Sequence, residues 1–276
     1  MIAGVDSGLQ TTLSLPNHIA LEVCVTSLDH ALAAQRAGAD RIELCSNLDC
    51  GGVTPSTRLM QTVRKQLQIP IHVLIRPRPG DFVYSAREFG AMCKSLETAK
   101  ALRMDGIVLG ILDRNRHIDV ARSRQLVELA HPLPVTFHRA FDEALKEPHA
   151  RIHAADDFLE AVIETGATRL LTSGGRTKVV DALSTLARLV KLAGNRLSVM
   201  PGGGITPANI LRVVSATAAR EVHGSLLTPA MLTPAMRAAA AHRKADDANR
   251  TSQVERFYRR VLKAALIVRS AATVGA

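Results

Sequence analysis

Aromatic side chains are scarce in this chain. Its 276 residues include no Trp, two Tyr and six Phe. Proteins that bind single-stranded nucleic acid without sequence preference stack bases on aromatic rings, so such a binding surface is disfavoured. A carbohydrate cleft built on aromatic faces is disfavoured for the same reason.

The sequence also lacks the cysteine patterns of zinc fingers and disulfide-rich domains. Its four cysteines are Cys24, Cys45, Cys50 and Cys93, and no two of them form a Cys-x-x-Cys pair. Residues 1–17 contain neither the basic start nor the continuous apolar run of a signal peptide. No stretch is long and apolar enough to span a bilayer. These absences predict a cytoplasmic protein with reduced thiols and no membrane partner.

Positive charge is present in excess and is concentrated near the C-terminus. The formal net charge is +10, and residues 237–269 contain nine Lys or Arg against three Asp or Glu. Such a segment can bind nucleic acid or an acidic partner, or it can be the solvated face of one or two helices. We favour the second interpretation, because no zinc-finger spacing or RNP-like aromatic motif accompanies the charge.

Eight short apolar runs alternate with helical segments along the chain. Most are apolar along their whole length, as is typical of parallel strands covered by helices. The predicted strands are residues 19–24, 40–45, 71–76, 106–109, 135–138, 169–172, 197–200 and 221–223.

Eight such units leave two architectures, a closed (β/α)8 barrel or an open doubly wound sheet. The barrel is favoured because polar residues follow nearly every strand, where barrel enzymes place their sites, whereas an open sheet concentrates them at one switch point. We therefore predict an α/β TIM barrel. It forms a single domain over residues 18–276, including a basic C-terminal helical region at 229–276, and a loosely ordered extension at 1–17 precedes it.

The first two predicted strands each carry a Glu and a Cys two positions apart, Glu22 with Cys24 and Glu43 with Cys45. Residues two apart in a strand point to the same face, so neighbouring strands would bring both pairs together. A buried unpaired carboxylate is costly, which favours a functional role, although each Glu could instead pair with a basic residue inside the barrel. The thiols could bind a soft ion such as Cu(I) or Zn, with Cys50 as a third ligand, or could simply be small buried side chains.

Other strand ends add candidates for acid–base catalysis. Arg76, His138 and His223 are the last residues of the third, fifth and eighth predicted strands, and Asp142 lies shortly after the fifth. Together with Glu22 and Glu43, the histidines and Asp142 could transfer protons, and Arg76 could bind an anion.

Two glycine-containing loops are candidate anion sites. Gly202, Gly203 and Gly204 follow the seventh strand and precede a helix predicted to start near Thr206. Consecutive glycines and a helix N-terminus can approach an anion closely, and barrels commonly bind phosphate after strands seven and eight, where Ser225 also lies. The alternative is a tight turn that needs positive φ. A weaker candidate comprises Ser173, Gly174 and Gly175, which could equally form a helix cap.

The motifs as a set closely resemble the CutC family of copper homeostasis proteins, from about residue 21 to residue 225. The matching segments are Leu-Glu-Val-Cys-Val at 21–25, Gly-Ala-Asp-Arg-Ile-Glu-Leu-Cys at 38–45, Gly-Gly-Val-Thr-Pro-Ser at 51–56, Ile-Arg-Pro-Arg-Pro-Gly-Asp-Phe-Val-Tyr-Ser at 75–85, Leu-Pro-Val-Thr-Phe-His-Arg-Ala-Phe-Asp at 133–142, Leu-Thr-Ser-Gly-Gly at 171–175 and Val-Met-Pro-Gly-Gly-Gly-Ile at 199–205.

The resemblance implies a (β/α)8 barrel, a cytoplasmic location, assembly into a dimer or tetramer, and a role in copper handling with Cys24 and Cys45 as Cu(I) ligands. This chain departs from the family pattern at Leu226 and Leu227, where relatives usually have Ala-Arg, and at Cys50, where an acidic residue is common. Two hypotheses follow. The protein binds copper through its paired thiols, or it is an enzyme that acts by acid–base chemistry on a small phosphorylated or anionic metabolite.

Overall fold

The computed structural model describes residues 18–146, 154–227 and 243–274. Within them, eight strands occur in the order predicted from the sequence. They are β1 (Ala20–Val25), β2 (Arg41–Leu44), β3 (Ile71–Leu74), β4 (Gly106–Leu109), β5 (Val135–Phe137), β6 (Arg169–Thr172), β7 (Ser198–Pro201) and β8 (Glu221–Gly224).

The strands form one parallel sheet in which sequence neighbours are also spatial neighbours. Its order is β7-β6-β5-β4-β3-β2-β1-β8. A parallel bridge between Gly202 and His223 joins the end of β7 to β8 and closes the cylinder. The prediction of a (β/α)8 barrel is therefore confirmed, and the open sheet is excluded.

Helices cover the outside of the barrel. They are α1 (Leu28–Arg36), α2 (Thr57–Arg64), α3 (Ala86–Ala101), α4 (Val120–Ala130), the short α5 (Ala140–Ala144), α6 (Ala154–Glu164), α7 (Leu183–Ala193), α8 (Ile210–Thr217) and α9 (Arg243–Val274). Short 3-10 turns occupy Leu48–Cys50 and Val179–Asp181. Start signals in the sequence work as physical caps: Ser85 and Glu88 form a capping box at the start of α3.

Alternation along the strands separates an apolar shell from a polar interior. On β1, Leu21, Val23 and Val25 belong to the main hydrophobic core together with helix residues such as Ala31. Cys24 faces the other way, because it packs with side chains of β2, β3 and β4. Functional chemistry is thus confined to one set of alternate positions, inside the barrel and at its mouth.

In its described part, residues 243–274, the basic C-terminal segment forms the helix α9, which packs on the barrel. Phe257 and Val261 are buried, and the Phe257 ring lies 4.7 Å from that of His30 on α1. Arg256 and Arg259 are exposed on the other side of the helix. This arrangement agrees with the solvated-face interpretation of the charge.

The predicted extension at 1–17 and residues 229–242 lie outside the described residues. Among the helices that are described, none is long and apolar enough to cross a bilayer.

Candidate functional site

A network of ion pairs fills the lower part of the barrel interior. Arg41 bonds to Glu22 and, at 2.6 Å, to Glu221. Arg169 binds the same Glu221 carboxylate at 2.8 and 2.9 Å, and Ser198 donates to it at 2.6 Å. Two arginines thus face two glutamates, and the charges balance. The sequence analysis missed Arg41, Arg169 and Glu221, although each is the first residue of a strand with the same parity as the chemical residues above it.

His223 connects this network to the second glutamate of the repeat. Its Nδ1 lies 2.7 Å from Glu22 Oε1, and its Nε2 lies 3.5 Å from Glu43 Oε2. Burial opposes ionisation of Glu22, but the hydrogen bond from His223 and the charge of Arg41 hold the Glu22 pKa well below its usual range. Burial, and repulsion by Glu22, raise the pKa of Glu43, and the two carboxylates raise that of His223 despite its burial. Glu22 is therefore a fixed anion, whereas Glu43 is able to exchange a proton.

The two thiols of the repeat meet directly above this network. Cys24 Sγ and Cys45 Sγ are 3.4 Å apart, and neither cysteine forms a disulfide. Both are buried, at 2% and 0% exposure, and Leu74 and Val108 pack against them. The hydrogen bond with Cys45, then burial and the nearby Glu43, raise the pKa of Cys24 well above its usual value. The Cys24 thiol is thus protonated at neutral pH.

A possible ligand set surrounds Cys24. Potential ligand atoms of Cys24, Glu43 and His223 all lie within 4.8 Å of one another. Cys50 is placed differently: it is exposed, and its thiol donates to the Asn47 carbonyl at 3.0 Å. The structure therefore brings together five of the predicted residues, namely Glu22, Cys24, Glu43, Cys45 and His223.

A glycine in the loop after β2 covers the thiol pair. Gly52 has φ +83, and a Cβ at this position would lie 2.9 Å from Leu74 and 3.5 Å from the Cys45 sulfur. Only glycine allows the loop to come this close in this conformation. The carbonyl of Gly52 accepts a 2.8 Å hydrogen bond from Arg76, so the same residue faces the thiols on one side and the barrel mouth on the other.

In the loop after β6, the amide groups predicted to hold an anion bind a carboxylate of the chain itself. Asp142 accepts hydrogen bonds from the backbone of Ser173 and Gly175 at 3.0 Å, and from the Thr172 hydroxyl at 2.6 Å. The Gly174 amide donates to Thr172 Oγ1. Arg139 completes the arrangement with a 2.7 Å ion pair to Asp142. In this structure Asp142 thus fixes the loop.

The three glycines after β7 are required by close packing. A Cβ on Gly202 would lie 2.4 Å from a Leu171 methyl group inside the barrel, and Gly203 has φ +94. The prediction that a helix starts near Thr206 is wrong, because α8 begins at Ile210. The Thr206 amide instead donates to the Asn209 side chain at 2.8 Å, so this N–H already has its hydrogen-bond acceptor within the turn. Ser225 follows β8 and is half-buried.

Arg76 lies at the mouth of the barrel in a cage of neutral oxygens. Its guanidinium donates to the carbonyls of Gly52, Gly80 and Cys50 at 2.8, 2.7 and 3.3 Å. It also stacks over the Phe82 ring, 4.7 Å from the centroid. Within the described residues, no carboxylate lies within ion-pair distance of it. The charge of Arg76 is therefore buried and held in place by carbonyl oxygens, and no carboxylate of the described residues neutralises it.

His138 lies beside Arg76 and is the least satisfied polar side chain at the mouth. Its ring packs against Phe82 at 4.8 Å. Nδ1 accepts a hydrogen bond from the Ala140 amide at 3.2 Å, so the neutral ring carries its proton on Nε2. Burial, and then Arg76 and Arg139, lower the pKa of His138 to about 3. The buried Nε2 has no hydrogen-bond partner among the described residues.

A cleft of about 480 Å³ opens above these residues. It was not predicted as a unit, because its members come from five separate segments, those that follow β2, β3, β4, β5 and β6. It is lined by Gly51, Arg76, Gly80, Asp81, Phe82, Val83, Leu112, Arg116, Arg139, Glu143, Lys146, Arg176 and Thr177.

Comparison with known proteins places the sequence in one family. Residues 19–228 match the CutC family. A CutC family protein of Chromobacterium violaceum is 48% identical over 205 residues, which cover 74% of this chain and 80% of the relative. A copper homeostasis protein cutC homolog of Homo sapiens is 44% identical over 209 residues, covering 76% and 74%. The crystal structure of CutC from Streptococcus agalactiae superposes with a TM-score of 0.70 at 33% identity, covering 76% of this chain and all of that one.

Proposed function

This chain belongs to the CutC family, and we propose that it takes part in copper homeostasis by binding Cu(I) through Cys24 and Cys45. Relatives from Homo sapiens and Streptococcus agalactiae carry the description copper homeostasis protein. The proposal extends that role to this chain and assigns it to the side chains of Cys24 and Cys45. It also includes a cytoplasmic location, where thiols stay reduced.

The observation that carries the proposal is the separation of the two sulfur atoms. At 3.4 Å, two reduced thiols on adjacent strands are close enough to bind the same ion without rearrangement of the barrel. Thiolates are soft ligands, which favour Cu(I) or Zn over Mg or Mn. The apolar surroundings of Leu74 and Val108 further suit a soft ion of low charge.

Glu43 supplies the acid–base chemistry that metal binding requires. Because Cys24 is protonated, its thiol must lose a proton before it can bind as a thiolate. The carboxylate of Glu43 lies next to Cys24 and has a raised pKa, so it is suited to accept that proton. Affinity for Cu(I) should then increase with pH, about tenfold per pH unit for each proton released.

An anaerobic Cu(I) titration against a competing chelator tests the proposal. We expect one Cu(I) per chain in the wild type and at least a hundredfold weaker binding in the Cys24→Ser, Cys45→Ser double variant. The matched control is Cys50→Ser, Cys93→Ser, which removes the other two thiols and should bind as the wild type does. Unchanged affinity in the first double variant would exclude these thiols as ligands.

A second candidate function is proton transfer on a small anionic metabolite. The observation that favours it is the buried, unpartnered Nε2 of His138 beside a buried arginine. Copper binding by two cysteines requires neither group. Incubation with a metabolite library in D2O, followed by mass spectrometry, tests this candidate. We expect deuterium to enter a substrate with wild-type protein and the cysteine double variant but not with His138→Gln; no incorporation by the wild type counts against the reaction.

We also propose that the protein assembles as a dimer or tetramer. The reason is its membership of the family, and light scattering after size-exclusion chromatography measures the mass directly.

A further inference from the structure

We propose that the cleft at the barrel mouth binds the phosphate group of a small phosphorylated metabolite through Arg76 and Arg176, with His138 packed against Phe82 of the cleft wall. This inference goes beyond copper binding. It supplies a binding site for the second candidate function, but the binding itself requires neither a reaction nor a metal.

The side chains that line the cleft carry an excess of positive charge. Five of its side chains are cationic and two are acidic. Both acidic groups already have partners, since Glu143 pairs with Lys146 at 2.5 Å and Asp81 pairs with Arg78 at 2.8 Å. Neither carboxylate is therefore needed to neutralise an arginine of the cleft.

The cations that remain match a dianion. Of the five cations, Arg139 is paired with Asp142 and Lys146 with Glu143, and Arg116 also has an interaction partner. Neither Arg76 nor Arg176 has an ion pair with any residue of the described ranges. A phosphate monoester carries a charge between about −1.5 and −2 at neutral pH. Two guanidinium groups compensate this charge, and the planar arrangement of N–H donors in arginine suits phosphate oxygens.

Burial separates the roles of the two arginines. Arg76 is 5% exposed, and three backbone carbonyls hold it in place. Its charge is therefore partly desolvated and acts strongly on whatever enters the cleft. Arg176 is exposed and lies at the rim. We infer that Arg76 provides the fixed charge and Arg176 closes over the ligand.

His138 provides an independent reason to expect a ligand. The side chain is 6% exposed, and its Nε2–H lacks an acceptor in the described structure. A buried donor without a partner costs about 1–3 kcal/mol. The imidazole packs on Phe82, which lines the cleft, and it lies within the electrostatic reach of Arg76. A phosphate oxygen bound at Arg76 would accept this hydrogen bond.

The dimensions of the cleft limit the ligand to a small molecule. Its volume of about 480 Å³ lies in the usual range for metabolite pockets. Phe82, Val83 and Leu112 form its apolar wall, which leaves room for a short carbon skeleton beside the phosphate.

Calorimetric titration with inorganic phosphate and with phenyl phosphate tests the inference, at constant ionic strength with chloride as the reference anion. The protein is the full chain, and the experiment is repeated in the Cys24→Ser, Cys45→Ser variant, so failure of the copper proposal leaves its outcome unaffected. We expect both phosphates to bind, phenyl phosphate more tightly because of the apolar wall. The His138 Nε2 resonance should also shift in nitrogen-15 NMR spectra.

Two variants locate the site. Arg176→Ala changes an exposed residue and should fold normally, and we expect it to weaken phosphate binding at least tenfold. The control, Arg220→Ala with Lys65→Ala, removes exposed positive charge near the amino ends of β8 and β3 and should leave the affinity unchanged. Arg76→Lys keeps the charge but loses the planar donors, and it should weaken binding even where Arg176 is intact.

Three outcomes would overturn the inference. The first is no binding of phosphate beyond that of chloride in the titration. The second is an equal loss of affinity in Arg176→Ala and in the control. The third comes from the same titration repeated with a short RNA: tighter binding of the RNA than of phenyl phosphate, with a steep salt dependence. The last result would identify the cleft as part of a nucleic-acid surface instead.

Discussion

The lower interior of the barrel and its mouth are both rich in arginine, but they treat its charge in opposite ways. Below, Arg41 and Arg169 each meet a carboxylate, and Glu221 is shared between them. At the mouth, Arg76 is held by neutral carbonyl oxygens and leaves its charge uncompensated. A compensated buried charge holds a structure together, whereas an uncompensated one is a place for a ligand. The comparison therefore separates residues that maintain the barrel from residues that are available for function.

The thiol pair lies at the boundary between these regions. Cys24 is linked downward to Glu43 and His223, and the loop residue Gly52 separates Cys45 from Arg76 above. The proposed copper site and the proposed phosphate site therefore share one loop but use different side chains.

The largest expected effect comes from breaking the lower network at its most buried member. Glu22→Ala removes one of the two carboxylates that Arg41 binds and the partner of His223 Nδ1, and we expect a loss of about 3–5 kcal/mol in the free energy of unfolding. Urea denaturation followed by circular dichroism measures it. Glu160→Ala, which removes an exposed partner of Arg196, is the control and should leave the unfolding midpoint unchanged. A similarly small effect for Glu22→Ala would mean that the network does not hold the barrel together.

A somewhat smaller loss is expected for Asp142→Ala. The variant leaves the amide groups of Ser173 and Gly175 without an acceptor and frees Arg139 toward the cleft. We expect a loss of about 2–4 kcal/mol in unfolding free energy. Because Arg139 is then uncompensated, inorganic phosphate should restore more stability to this variant than it adds to the wild type, as thermal unfolding would show. Equal stabilisation of both proteins would contradict this interpretation of the loop.

The pH dependence of stability tests the burial of His138 at the mouth. His138 has a pKa of about 3 in the folded chain against about 6.5 when unfolded, so between these values the unfolded chain binds a proton that the folded chain does not. Stability should therefore fall by about 1.4 kcal/mol per unit for this group as the pH decreases below 6.5. His138→Gln should reduce the slope of unfolding free energy against pH by that amount. Identical slopes in the wild type and in His138→Gln would contradict the assignment.

The smallest expected effect on stability is that of Arg176→Ala. As an exposed side chain without an ion pair to the described residues, it should change the unfolding free energy by less than about 0.5 kcal/mol. The same variant should lose phosphate affinity. A change in the lower network should thus reduce mainly stability, whereas this change at the mouth should reduce mainly phosphate binding. A large loss of stability here would show that Arg176 maintains the fold.

The repeated Glu-x-Cys pattern shows how far a local pattern reaches. Strand periodicity predicts that Glu22 and Cys24 share a face, and that both Glu-x-Cys pairs converge if β1 and β2 are neighbours. The register of Cys24 against Glu43 shows that the two strands are neighbours. The other hypothesis was that each glutamate pairs with a basic residue inside the barrel. It is correct for Glu22, because Arg41 binds this carboxylate. Periodicity could not choose between the alternatives, since pairing depends on which inward-facing side chains meet.

The loop after β6 shows where sequence reasoning stops. Ser173 and Gly175 have the composition of an anion-binding loop, and their amides do bind an anion, but it is Asp142 of the same chain. Asp142 and Ser173 are 31 positions apart in the sequence, and nothing in the segment between them signals that the two will meet. Their contact is set by the position of α5 at the end of β5, beside β6.

By itself, the sequence determined the class of fold, because eight apolar runs separated by amphipathic helices can bury their two faces well only as a covered parallel sheet. It also determined which positions point inward, because the period of a strand is fixed by its backbone. Only the tertiary structure decided which charges are neutralised and which are left for a ligand. Closure of the barrel brings Arg169 to Glu221, 52 residues away, and leaves Arg76 and Arg176 facing one cleft. Electrostatic compensation depends on distances through space, and those distances exist only once the cylinder has closed.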